Sequence, residues 1–96
     1  MKQLQLLFSN EVMLEDARVM KLDYSLIEKN AEQEEETSLF GVRITKHLDN
    51  LIESDEVTGI STSKEAVVNI IKKLCQFEVT PISMVEILDD MVTMGI

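Results

Sequence analysis

Few side chains in this sequence could carry out covalent chemistry. Nucleophilic catalysis needs a Ser, Cys or Thr beside a base and an orienting third group, and the chain has one His and one Cys. His47 falls near the end of a predicted strand, on its polar side. Cys75 falls on the apolar side of a predicted helix, where a thiol usually packs as a small hydrophobe. We therefore expect no Cys–His pair, and we predict that the protein is not an enzyme.

Acidic residues are abundant, but their spacing does not match a metal site. The sequence has no Cys-x-x-Cys and no His-x-x-x-His. The acidic segment 49–56 lacks the alternating oxygen ligands and the glycine of a calcium loop, which leaves a weak divalent-cation site there as the alternative. The three glycines are scattered, so the sequence contains no phosphate-binding loop. We predict that the protein has no metal centre and no cofactor.

The C-terminal segment has two features that favour a binding surface. Asp89 and Asp90 fall in the last turn of a predicted helix, where the helix dipole disfavours each anion by about 0.3–1 kcal/mol. A cationic neighbour, either Lys72 or Lys73 or a basic residue of a partner, would offset that cost, as would plain solvation. Three methionines share the apolar arc of the same helix, and Met-rich faces either adapt to partners or fill gaps in a core. The candidate partner-binding residues are therefore Met84, Ile87, Met91, Met94, Glu86, Asp89 and Asp90.

Composition narrows the classes of function and the compartment. With 18 acidic and 9 basic residues the net charge is −9, which repels phosphate backbones, so we expect no nucleic-acid ligand. No apolar run approaches the ~18 residues of a membrane span, and the N-terminus lacks the unbroken apolar stretch of a signal peptide. A single cysteine gives no reason to expect an oxidising compartment. We predict a cytoplasmic protein without membrane association.

The elements that must position these residues change character at mid-chain. Three segments of the first half alternate apolar and polar residues, as half-buried antiparallel strands do; they are residues 3–8, 18–28 and 39–47. An acidic stretch at about 30–37 predicts a flexible hairpin loop. Residues 10–17 fit a strand, a turn or a helical turn. Residues 54–59 are predicted to be a polar connection, with a short fourth strand around 57–60 as the alternative.

Two helices are predicted in the second half. Thr62 to Glu65 fits a capping box that begins a helix reaching about Phe77. Thr80 followed by Pro81 fits an N-cap and first helical position for the second helix. The apolar arcs of both helices are wider than the ~100° stripe of a helix that touches one layer. Any part that the fold leaves uncovered is expected to form a dimer or partner interface.

These patterns predict one α+β domain over residues 1–96, a three- to four-stranded antiparallel meander with two C-terminal antiparallel helices packed on one face. Gly41 inside a strand predicts a bulge or the close approach of another element, such as one of the helices. The predicted core consists of Leu4, Leu6, Met20, Leu22, Tyr24, Leu26, Phe40, Val42, Ile44, Val67, Ile70, Ile71, Leu74, Ile82, Val85 and Leu88.

Four segments of the chain share a pattern with known proteins. They are Tyr24-Ser25-Leu26, Phe40-Gly41-Val42-Arg43-Ile44, Ile60-Ser61 and the Pro-led helix Val79-Thr80-Pro81-Ile82-x-x-Val85-Glu86-x-Leu88-x-Asp90. Over about residues 18–92 the chain resembles a family of small clostridial-type Firmicutes proteins catalogued as domain of unknown function 6514. The resemblance implies a cytosolic bacterial protein without an assigned activity.

Two functional hypotheses follow. The first is a small acidic protein–protein interaction or regulatory module, homodimeric through its helices, because the helices carry excess apolar surface and the chain has no catalytic constellation. The alternative is an acidic decoy that occupies a nucleic-acid-binding or other basic cleft of a partner. The decoy requires Glu86, Asp89 and Asp90 to form one continuous stripe with the acids around Asp49.

Overall fold

The chain folds as one antiparallel sheet followed by two helices. A computed structural model describes residues 2–30 and 38–93. The four strands follow chain order across the sheet; they are β1 (Lys2–Met13), β2 (Val19–Asn30), β3 (Ser38–Leu48) and β4 (Leu51–Ser61). The helices α1 (Lys64–Gln76) and α2 (Pro81–Thr93) pack on the sheet, α1 mainly over β2 and β3 and α2 over β4 and β3. The predicted α+β meander with two C-terminal helices is confirmed.

Alternation along β2 and β3 determines which residues meet the helices. Leu22, Tyr24 and Leu26 of β2 are buried against the helices together with Val42 and Ile44 of β3. The intervening residues lie on the opposite side of the sheet, which we call the open face because it is turned away from both helices. The core is therefore a single layer between the sheet and the helices.

Strand structure extends into two segments whose structure the sequence left open. Residues 10–13 complete β1, and a tight turn over residues 14–18 follows, with Leu14 N–H donating to Arg18 O at 2.8 Å and Ala17 left-handed at φ 70°. The predicted polar connection at 54–59 is wrong, because these residues lie inside β4. The alternative, a fourth strand around 57–60, is confirmed, although the strand is longer than predicted. No residue of β4 is fully buried, so the strand carries little of the apolar alternation that marks a half-buried strand. The predicted acidic loop at 31–37 lies outside the described residues.

The first helix begins one residue later than the capping box predicts. Ser63, not Thr62, is the N-cap, and its Oγ accepts a hydrogen bond from Ala66 N–H at 3.2 Å. Glu65 is then the second helical residue and cannot return the bond that a capping box requires. The second helix begins at Pro81, as predicted. Within the described ranges, neither helix is long and apolar enough to cross a lipid bilayer.

Four residues of the predicted core are exposed in the structure. Leu4 and Leu6 lie on the open face of an edge strand, where the described part of the chain supplies no second layer to cover them. Ile82 and Val85 lie on the solvent side of α2, because the helix turns its other side to the sheet. The rest of the predicted core is buried. Among large apolar side chains, Val79, Met84 and Met91 are buried in the core in addition to the prediction, and Ile27 is buried on the open face.

Tyr24 ties the connection between the helices to the centre of the sheet. Its hydroxyl donates a hydrogen bond to the Val79 carbonyl at 3.0 Å, and the side chain is fully buried. Burial raises the pKa of Tyr24 far above its ordinary value of about 10. The phenol therefore stays neutral in the folded protein under conditions that would ionise it in an unfolded chain.

Alkaline titration tests this arrangement, since Tyr24 is the chain's one Tyr and Trp is lacking. We expect phenolate absorbance to appear only together with unfolding. Because the raised pKa favours the neutral folded form, its contribution to stability is intact below about pH 10 and is lost progressively as the pH rises above that value. Tyr24→Phe is the control; it lacks this alkaline loss but is less stable at neutral pH by about 1–3 kcal/mol, because the Val79 carbonyl loses its donor. Ionisation near pH 10 with the far-ultraviolet circular dichroism unchanged would contradict the prediction.

Candidate functional site

The solvent side of α2 combines exposed apolar and acidic side chains. Ile82, Val85, Glu86 and Asp89 recur at steps of three and four residues, so they form one stripe along the helix. We call this stripe the α2 outer face. Ile82 is 80% exposed and Val85 is 46% exposed, and both carboxylates are exposed. The surface can pair apolar contact with charge-assisted hydrogen bonds to a cation.

The other candidate residues of α2 are divided between the core and solvent. Met84 and Met91 are buried against the sheet, and Ile87 is half-buried beside them. Asp90 is exposed, and Met94 lies outside the described residues. The proposed role of these residues in partner binding stays a prediction. In the isolated chain, however, the two buried methionines serve as core residues, so a partner would meet their neighbours Ile82 and Val85 first.

The acidic charge of α2 has no internal counterion among the described residues. Neither Lys72 nor Lys73 comes within the 4.0 Å of an ion pair to Asp89 or Asp90, and α2 has no basic residue in its last turn. Anions near a helix C-terminus are disfavoured by the helix dipole. Solvent or a cationic partner must therefore offset that unfavourable interaction.

By contrast, three of the four acids in segment 49–56 form ion pairs within the described part of the chain, and Asp55 is the exception. Asp49 Oδ2 accepts a hydrogen bond from Arg18 Nη1 at 2.8 Å, which links the β1–β2 and β3–β4 turns at one end of the sheet. Glu53 pairs with Lys46 at 3.4 Å. These ion pairs compete with the contacts that the acidic stripe of a decoy would make to a basic cleft. Within residues 2–30 and 38–93, no group of three His, Cys, Asp or Glu side chains is placed to hold a metal ion.

A polar cluster that the sequence did not reveal lies on the open face around Asp23. Ser9 Oγ donates to Asp23 Oδ1 at 2.7 Å, and His47 Nε2 lies 3.1 Å from Asp23 Oδ2. Lys21 Nζ lies 4.0 Å from the same carboxylate. The three partners come from three adjacent strands, so their meeting depends on a register that sequence alternation does not specify. The Ser9 hydroxyl donates its hydrogen bond to Asp23 and not to His47. The imidazole is therefore not placed to act as a base for this hydroxyl.

Cys75 and His47 lie on opposite sides of the sheet. The thiol is half-buried on α1, and Asn10 Nδ2 donates to the Cys75 carbonyl at 2.6 Å. Burial raises the pKa of the Cys75 thiol, which lowers the thiolate fraction on which nucleophilicity depends.

A cavity of about 140 Å³ opens over β1 and β2, lined by Gln3, Leu4, Gln5, Leu26 and Glu28. Its lining contains no His, Cys or Ser, so it offers shape without a nucleophile.

Comparison with known proteins places the chain in a family. Neither a curated protein nor a solved structure matches the sequence. The model of a family of unknown function, DUF6514, matches residues 3–94, which include almost all of the sheet and both helices. The resemblance seen in the four sequence segments is thereby confirmed. A match over nearly the whole chain means that this protein belongs to DUF6514, a family of unknown function.

Proposed function

We propose that this protein is an interaction module that binds a protein partner through the α2 outer face. The observation that carries the proposal is the exposure of Ile82 and Val85, two large apolar side chains on a helix whose charged residues are all acidic. Fully burying one such side chain contributes about 1.5–3 kcal/mol. A partner that covers both would therefore gain an apolar anchor at this surface.

The chemistry of the α2 outer face indicates what the partner carries. An amphipathic segment with apolar residues at helical spacing would pack on Ile82 and Val85. Lys or Arg residues beside that apolar strip would meet Glu86 and Asp89, and Asp90 would attract them at longer range. Basic residues also offset the unfavourable anions near the end of α2. The proposed partner is thus a basic amphipathic segment of another protein.

On this proposal the chain acts by occupying its partner and not by catalysis. The support is the geometry of the described nucleophiles and bases, since Cys75 and His47 are separated by the sheet and the Ser9 hydroxyl donates to Asp23 and not to His47. We also propose that binding occurs in the cytoplasm. A reducing compartment suits a chain with one cysteine, which cannot form an internal disulfide.

The test compares capture of partners by four tagged chains in lysate of the native host. They are the wild type, an apolar variant (Ile82→Ser with Val85→Ser), a charge variant (Glu86→Lys with Asp89→Lys) and a control variant (Met13→Ser with Leu51→Ser). The control residues are exposed apolar side chains of the sheet, remote from α2 in sequence and turned to solvent like those of the apolar variant. Captured proteins are identified by mass spectrometry, purified and titrated against each chain by calorimetry.

We expect one partner to bind the wild type and the control variant with equal affinity. The apolar and charge variants should each bind at least about tenfold more weakly, which corresponds to about 1.4 kcal/mol. Added salt should weaken wild-type binding, since exposed charges are screened. A partner whose affinity is unchanged in both α2 variants, or reduced equally in the control, would show that α2 is not the binding surface.

A further inference from the structure

The sheet has two edges, and they differ in how well they are protected from pairing. β1 and β4 are the outer strands, and each has a neighbour on one side within the described sheet. A free edge presents unpaired N–H and C=O groups that can pair with another chain. Natural proteins protect such edges with charges, bulges, proline or short strands.

β4 has two of these protections. Glu53, Asp55 and Glu56 place three carboxylates near the middle of the strand. Glu53 and Glu56 have cationic neighbours in the chain, but Asp55 forms no ion pair among the described residues, so two copies of β4 would still bring like charges together there. The strand also bulges before its end, where the pairing with β3 shifts register and Gly59 is left-handed at φ 67°. Such a bulge leaves a residue unpaired and bends the strand, which weakens strand addition at that end of β4.

β1 lacks the carboxylates that protect the middle of β4. It is 12 residues long, and residues 3–10 contain no charged residue and no proline. Leu4 is 50% exposed and Leu6 is 58% exposed on the open face. The pairing of β1 with β2 shifts register once, at a bulge near Leu7. A long, neutral edge with exposed leucines is a surface that favours strand addition.

We propose that β1 pairs antiparallel with β1 of a second copy of this chain, about a two-fold axis near Leu7. The charges of β1 favour this occupant and this direction. Lys2 and Glu11 are the charged residues of the strand and lie near its opposite ends. Antiparallel pairing brings each Lys2 to the Glu11 end of the other copy, whereas parallel pairing would set like charges together.

The intrachain contacts of β1 are compatible with this arrangement. The Lys2 ammonium contacts Glu56 across the open face, yet the Lys2 side chain remains 44% exposed. An ammonium has three donors, so it can also reach Glu11 of the other copy. Leu6 lies one residue from the proposed axis, so the two Leu6 side chains come close together in the pair. The two sheets would become one continuous sheet with a protected β4 at each end.

Sedimentation equilibrium of the full chain tests the proposal. We expect wild-type chains to associate into dimers. Leu6→Lys should raise the dimer dissociation constant at least about tenfold, because two added charges then face each other near the axis. Ile52→Lys is the matched control, since Ile52 is also an exposed open-face residue of an edge strand, and it should leave the dimer intact. Leu4→Lys replaces Leu6→Lys if circular dichroism shows that the latter does not fold.

Glu11→Lys tests the direction of pairing. In the antiparallel dimer it turns two attractions to Lys2 into repulsions and should raise the dissociation constant several-fold. In a parallel dimer Glu11 would lie beside Glu11 of the other copy. The substitution would then replace two negative charges with two positive ones and leave affinity unchanged. Hydrogen exchange should also show stronger protection of β1 amides as concentration rises.

Three results would overturn the proposal. A wild type that stays monomeric at every concentration would show that the β1 edge is not used. Equal weakening by Leu6→Lys and Ile52→Lys would point to a general effect of added charge. A dimer lost in the Ile82→Ser and Val85→Ser variant but kept in Leu6→Lys would assign self-association to α2. The proposal is independent of the α2 outer face, so monomeric Leu6→Lys should still bind the α2 partner.

Discussion

Gly41→Ala is expected to lower the free energy of unfolding by about 3 kcal/mol, the upper range for an overpacked site. A Cβ at position 41 would overlap the Val57 carbonyl oxygen and lie 2.8 Å from Thr58 Cα. Both are backbone atoms of β4, so the conflict cannot be relieved by a side-chain rotation. β4 would have to move away from β3 where its bulge crosses Gly41. Urea denaturation of the variant and the wild type measures the loss.

Gly59→Ala is the matched control, because it changes a glycine of the same bulge by the same methyl group. Gly59 is left-handed at φ 67°, but an added Cβ would meet no atom closer than Leu39 Cδ1 at 3.9 Å. We expect a loss of about 1 kcal/mol from backbone strain alone. If the two alanine variants were equally stable, the close approach of β4 to Gly41 would be wrong. The sequence predicted this bulge or approach at Gly41, but β4, and not a helix, is the element that approaches.

Met84→Ala is expected to lower the free energy of unfolding by about 2–5 kcal/mol, the range for deleting a buried aliphatic side chain. Met84 is fully buried between α2 and the sheet, so truncation removes apolar contacts and leaves a cavity. Ile82→Ala, two residues earlier on the same helix, is expected to change stability by less than about 0.5 kcal/mol. The Ile82 side chain is 80% exposed, and Ala has the higher helix propensity.

Comparison of the two variants tests which side of α2 faces the sheet. Thermal and urea unfolding of both proteins give the two losses on one scale. A larger loss for Ile82→Ala than for Met84→Ala would mean that Ile82 and Val85 face the core, as the sequence analysis predicted. The α2 outer face would then be covered, and the proposed partner surface would have to lie elsewhere.

The strand faces of β2 and β3 could be predicted from the sequence because one-sided burial imposes a strict alternation. Leu22, Tyr24 and Leu26 follow that pattern and are all buried. The start of α2 was also predictable, since proline fits the first position of a helix but disrupts the interior of one. These features depend on neighbours within a few residues, so local chemistry is sufficient to specify them.

Other local sequence signals were compatible with more than one structure. Thr62 and Ser63 are both good N-caps, and which of them begins α1 depends on where the preceding strand ends. β4 has the composition of a loop, yet it is strand because β3 offers it a hydrogen-bonding edge and basic partners such as Lys46 for Glu53. A polar edge strand has no periodicity that sequence analysis could detect.

From its residues alone, this chain specified an acidic α+β domain and the alternating faces of its central strands. Contacts between distant elements decided the rest. The rotation of α2, which buries Met84 and exposes Ile82, follows from how a wide apolar arc fits a sheet that covers only part of it. The grouping of Ser9, Asp23 and His47 follows from strand register. Both are non-local, because a helical arc or a strand pattern allows several neighbours and only packing selects one.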